Sequence, residues 1–148
     1  MNAKQISLVQ NSFKQVVPIA QPASVLFYAH LFELDPSLRG LFNMTDIIEQ
    51  GRKLMATLGM AVSYLTSLEQ LLPTVQLLGL KHVDYGVKAA DYDTVGQALL
   101  WMLAQVLEED FTLEVETAWT ATYFTLAGAM KAAAYQTVRA PMIAAIGG

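Results

Sequence analysis

Cysteine is absent from the chain, and histidine occurs twice. Without cysteine there are no disulfides, no thiolate metal sites, no cysteine nucleophile and no thioether attachment of a pigment. Two histidines cannot supply the three or four nitrogen or sulfur ligands of a typical zinc site. Charge is also scarce: 15% of residues are charged and 54% are hydrophobic, where roughly 25% and 45–50% are typical. The net charge of −4 comes with no basic cluster, which argues against nucleic acid as a partner. No G-x-S-x-G turn and no glycine-rich phosphate loop is present. No stretch reaches the roughly 18 uninterrupted apolar residues of a membrane span. The start, MNAKQISLVQNSF, lacks the apolar core of a secretory signal. These absences together predict a soluble, cytoplasmic protein with no transmembrane segment.

What remains is an apolar chain of 148 residues, long enough for one domain with a substantial core. Prolines and glycines cut it into helix-sized pieces. Ile6, Val9, Phe13 and Val16 repeat at three or four residues over positions 4–17, and Pro18 stops that piece. Pro22 suits the first turn of a helix running to about Leu34, and Pro36 opens a short turn through Phe42. Asp46 reads as the N-cap of a long helix, with Glu49 three residues on and an apolar row of Leu54, Leu58, Ala61 and Leu65. Pro73 opens a further helix that ends before Gly86, with Val75, Leu78 and His82 on one face. Asp91 or Asp93 caps a helix to about Leu107, and Thr112 caps the last, to about Tyr135, with Glu114 and Glu116 in its first turn. Nothing alternates with period two. The expected fold class is all-α, with roughly seven helices and short loops. The body spans residues 1–136, and the apolar tail 137–148 packs against it.

Three polar side chains stand where the periodicity calls for apolar ones. His82 lies four residues after Leu78, Gln50 lies four before Leu54, and Tyr28 sits between Val25 and Leu31. Each has an ordinary structural reading: a hydrogen-bonded core histidine, a glutamine fraying from a helix start, a core tyrosine with its hydroxyl on a carbonyl. The alternative is convergence on one buried ligand. A single histidine suffices for a haem, whose porphyrin supplies four nitrogens and leaves an axial position to the protein. His30 lies about 200° round the helix from Tyr28 and cannot share its pocket; a surface or structural role is expected for it.

The segments FYAHLFELDPSLRGLF, QGRKLMATLG, LGLKHVDYGVKAADYDTVGQALL and AWTATYF resemble those of a globin. The resemblance runs from about Ser7 to Tyr135. It is similar to single-domain bacterial haemoglobins, to the globin half of flavohaemoglobins and, more distantly, to neuroglobins. It implies a three-over-three helical sandwich around a haem pocket holding haem b. By position, it makes His82 the proximal iron ligand and Phe42 the phenylalanine packed on the porphyrin. Gln50 takes the distal position, Leu54 lies one turn on, and Tyr28 reaches the distal pocket. Phe27, Leu58, Leu78, Tyr85, Val87, Tyr92 and Val95 complete the expected haem contacts. Ala134 stands where flavohaemoglobins carry a glutamate that hydrogen-bonds the proximal histidine, and the chain is too short for a flavin and nicotinamide reductase domain. The implied function is high-affinity binding of O2, NO and CO. One alternative is nitric oxide dioxygenation with electrons from a separate reductase. The other is a haem-free regulatory globin or a gas sensor.

Overall fold

The computed structural model describes residues 1–42, 46–84 and 86–133. Among the described residues the chain forms six α-helices and no strand: α1 (Ala3–Val16), α2 (Ala20–Leu34), α3 (Ile47–Ser63), α4 (Leu68–Asp84), α5 (Asp91–Leu107) and α6 (Leu113–Lys131). Short 3₁₀ segments join them at Val17–Ile19, Pro36–Phe42, Leu65–Ser67 and Glu108–Asp110. The expected seventh piece is thus the Pro36 turn, wound as 3₁₀ helix. No described helix is long and apolar enough to cross a membrane.

α1 shows how sequence becomes packing. Asn2 caps it reciprocally: its carboxamide accepts from the Gln5 N–H (2.8 Å), and the Gln5 side chain accepts from the Asn2 N–H (3.1 Å). Its stripe Val9, Phe13 and Val16 is buried, each side chain stabilising the fold by about 1.5–3 kcal/mol through removal from water. Phe13 meets Trp119 of α6 at a ring separation of 6.2 Å. The Trp119 indole N–H donates to Ser12 Oγ (2.8 Å), and that hydroxyl donates on to the Leu8 carbonyl (2.7 Å). α1 lies on α3 and α6, α2 crosses α3 and α5, and α4 packs on α6. The result is two layers, α1, α3 and α4 over α2, α5 and α6, with Met102, Leu103 and Trp119 among the most deeply buried side chains.

Two helix starts differ from the sequence reading. Pro73 does not open α4; the helix begins five residues earlier and carries the proline inside it. Pro73 cannot donate to the Glu69 carbonyl, a local cost. Leu71 and Val75 are buried together against Leu126, Ala129 and Met130 of the α6 region, and that burial carries the helix back through Leu68. At α5, neither aspartate is the N-cap. Ala90 holds that place without a side-chain bond, while the Asp91 carboxylate accepts the Lys88 N–H (2.9 Å) and closes the preceding turn. Asp46 and Thr112 do cap α3 and α6, accepting from the Ile48 and Val115 N–H groups. Glu49 turns to Arg52 rather than back to the cap.

The crossing of α2 over α3 is close because Gly51 has no side chain. A Cβ there would stand 2.4 Å from Ser24 Oγ. Gly51 adjoins Gln50, and Ser24 lies one turn before Tyr28, so this contact sets the spacing of the site described next.

Candidate functional site

Tyr28 is 4% exposed on α2, inside an aromatic cluster. Its ring meets Phe27 edge-on at 4.9 Å and Phe42, at the end of the Pro36 segment, at 5.5 Å. Phe32 closes the group at 5.7 Å from Phe42. Burial pushes the Tyr28 phenol up to about 12, against a smaller opposing effect from its side-chain hydrogen bond with Gln50 of α3. The phenol therefore stays protonated and able to donate at neutral pH. The glutamine has not frayed away from its helix face. Leu54 and Leu58 are half-buried and packed against the main core, while Gly51, Met55, Ala61 and Val62 are the buried positions of α3. Of the expected row, Ala61 and Leu65 are buried, while in the first half of the helix Gly51 and Met55 take the buried places and leave Leu54 and Leu58 at the edge.

His82 is half-buried near the end of α4. Its Nδ1 lies 2.6 Å from the Leu78 carbonyl oxygen. A carbonyl only accepts, so Nδ1 carries a proton and donates it to this bond, and Nε2 is the ring nitrogen left to offer a lone pair to a metal. Gly86, at φ +90°, terminates the helix in the left-handed conformation that glycine adopts without penalty. The Val87 N–H then donates to the His82 carbonyl (2.9 Å). A Cβ on Gly86 would lie 3.5 Å from the Leu41 side chain, so this turn abuts the segment that carries Phe42. Tyr92, buried at the start of α5, faces the imidazole at 6.3 Å between ring centroids. Val95 is half-buried against the main core.

The structure thus groups the expected residues into two sets: Tyr28, Phe27, Phe42 and Gln50, and His82, Leu78 and Tyr92. Tyr85 and Ala134, like the tail 137–148, lie outside the described residues. His30 keeps clear of the site, stacked on Trp101 of α5 at 4.2 Å with the rings 11° apart. Its Nδ1 is 3.5 Å from the Glu33 carboxylate, without hydrogen-bond geometry. Three contributors escaped the sequence reading. Phe32 follows Tyr28 by four residues and was findable from helical spacing. Tyr123 donates to the Tyr92 carbonyl (2.6 Å), and burial, with the charges of Tyr92 and Asp93, pushes its phenol well above the ordinary tyrosine value. Lys131 places its ammonium 5.9 Å from the Tyr92 ring centroid, which no local pattern foretells.

Among the described residues no three His, Cys, Asp or Glu side chains gather to hold a bare metal ion. One imidazole with Nδ1–H engaged and Nε2 as the basic nitrogen is, by contrast, the donor that a haem iron requires from a protein. The side chains present fit that group.

Fold and site define the class: an all-helical three-over-three protein in which one histidine, His82, has its Nδ1–H held by a backbone carbonyl. The chain belongs to the globin family, whose sequence pattern, described as Globin, matches residues 25–130. It is 30% identical to a neuroglobin of Tetraodon nigroviridis over 143 residues, covering 88% of this chain and 90% of that protein. It is 32% identical to a flavohemoprotein of Vibrio cholerae over 124 residues, 79% of this chain but only 31% of that longer protein. Among solved structures, the fold matches an engineered carbene transferase derived from a candidate nitric oxide dioxygenase of Rhodothermus marinus. The TM-score is 0.84 at 24% identity, covering 96% of this chain and 99% of that one.

Proposed function

We propose that this globin holds haem b through His82 and binds O2 and other diatomic gases with high affinity. The observation that carries the reading is the His82 hydrogen bond: Nδ1–H donates to the Leu78 carbonyl, which fixes the ring and leaves Nε2 to bind the iron. Haem supplies reversible coordination of a diatomic gas at ferrous iron. The chain's part is to anchor that group non-covalently, since there is no cysteine to tether it. Phe42, Leu54, Leu58, Val87 and Val95 offer it apolar contact and exclude water. Tyr28 O–H and the Gln50 amide stand as donors toward a gas that carries partial negative charge. A hydrogen bond to a charged acceptor contributes about 1.5–3 kcal/mol, or roughly ten- to a hundred-fold in off-rate at about 1.4 kcal/mol per decade. Tyr28→Phe should therefore speed O2 release by at least tenfold in stopped-flow displacement by CO; an unchanged off-rate removes Tyr28 from the role.

The kinship with flavohemoproteins, together with the Tyr28–Gln50 donor pair, favours a second reading, nitric oxide dioxygenation. NO and O2 combine with one electron to give nitrate, and the electron comes from a separate reductase. Rapid mixing of the oxygenated protein with NO, followed by turnover with a reductase, separates the two readings. A ferric form that no plausible donor re-reduces leaves gas binding alone.

A further inference from the structure

Each cluster of the site has a cation standing against one of its aromatic rings. On the Tyr28 side it is the exposed Arg39, 5.4 Å from the Phe32 ring centroid, whereas on the His82 side it is the half-buried Lys131. Lys131, in the last turn of α6, sets its ammonium 5.9 Å from the Tyr92 ring centroid, and the His82 imidazole lies 6.3 Å from the same ring. Tyr92 itself is firmly held. Tyr92 is 5% exposed. Tyr123 grips its carbonyl at 2.6 Å. Gly96, one turn on, allows that grip, because a Cβ there would stand 2.8 Å from the Tyr123 ring. The ammonium and the imidazole thus neighbour one held ring, within about 12 Å of each other. The Nδ1–H of His82 goes to a neutral carbonyl, so no carboxylate offsets that positive charge through this bond. The Asp93 carboxylate is the negative charge near Tyr123 that opposes the Lys131 cation.

We propose that Lys131 is a positioning residue that tunes the His82 side of the site electrostatically. Its charge, held beside the Tyr92 ring that neighbours the imidazole, raises the reduction potential of the iron held there. The inference rests on the haem reading above. A nearby cation destabilises the ferric state, which carries one more positive charge, relative to the ferrous state that takes O2. One unit charge at about 12 Å, with an effective dielectric near 20, is worth about tenfold in an equilibrium. Solvent at the half-buried ammonium reduces this to roughly three- to tenfold in the ferric-to-ferrous ratio.

The test is spectroelectrochemical titration of the hemin-loaded full chain, comparing the natural protein with Lys131→Arg, Lys131→Gln, Lys131→Met and Lys131→Glu. Methionine keeps an unbranched stem of similar length, so packing survives there if glutamine disturbs it. The expected order of midpoint potential is Lys and Arg highest, Gln and Met lower by the equivalent of three- to tenfold in the ratio, and Glu lowest. A potential that ignores the sign of the charge overturns the inference, as does an Arg variant that falls with the neutral ones. Failure of the natural chain to take up hemin would overturn the functional reading along with it; hemin uptake with an invariant potential overturns this inference alone.

Discussion

Consider the substitution Gly51→Ala at the crossing of α2 and α3. The new methyl would lie 2.4 Å from Ser24 Oγ and 2.8 Å from Ser24 Cβ, against 3.4–4 Å for ordinary contact. The Ser24 hydroxyl must therefore turn aside, and the helices must part by about 0.5 Å to clear its Cβ. Overpacking of this kind costs about 1–3 kcal/mol. The Ser24 hydroxyl, which donates to the Gln21 carbonyl at 2.8 Å, adds about 1 kcal/mol if it is displaced. Against this, alanine in a helix interior is favoured over glycine by up to about 1 kcal/mol. The balance is a loss of about 1–3 kcal/mol, or roughly 3–10 °C in Tm for a chain of this size. The assay is a double-mutant cycle with Ser24→Gly, read by thermal and denaturant unfolding. Relief of the clash predicts a favourable coupling of about 1 kcal/mol or more, where independent sites add within about 0.5 kcal/mol. Additivity, or a single variant more stable than the parent, would refute the close approach. Because Gln50 adjoins the new methyl, the Tyr28 phenol should also titrate lower in the variant as its buried setting loosens.

The other expectations are simpler. Stability should fall at alkaline pH, because burial raises Tyr28 to about 12 and raises Tyr123 as well. For groups raised in this way the stabilisation is complete below about pH 10 and is lost as pH climbs toward 12; for Tyr28 two decades of proton affinity correspond to about 3 kcal/mol at most. Denaturant midpoints measured between pH 9 and 12 should show a shallower decline in Tyr28→Phe, and an identical slope would count against the burial argument. Ser12→Ala strands the Trp119 indole N–H inside the core and should cost about 1–3 kcal/mol; a loss below about 0.5 kcal/mol would mean that water reaches that nitrogen.

How far the sequence foretold the structure depends on which physical force ruled at each position. Where local chemistry decided, the reading held. Asp46 and Thr112 cap their helices, Val9, Phe13 and Val16 form a buried stripe, and His30 stays clear of Tyr28. Where tertiary packing decided, it did not. Pro73 is a local stop signal, but burial of Leu71 and Val75 draws α4 back past it. The first half of α3 meets α2 at the glycine crossing over Ser24, a contact between residues far apart in the chain, and there the buried positions are Gly51 and Met55 rather than Leu54 and Leu58; Ala61 and Leu65 are buried as the periodicity requires. The site follows the same division. Tyr28, Gln50 and His82 were visible as polar side chains on apolar rows. Tyr123 and Lys131 were not, since each reaches the site from α6 through the intermediary Tyr92.

The central claim is that the imidazole of His82 anchors a haem. It is tested most directly by titrating hemin into the metal-free chain and into its His82→Ala variant, and recording visible spectra oxidised, reduced and under CO. The account predicts one hemin per chain in the parent, with reduced and CO spectra characteristic of histidine ligation, and a variant that gives up its pigment on gel filtration. A parent that stays colourless, or a variant that keeps hemin as tightly as the parent, would contradict it.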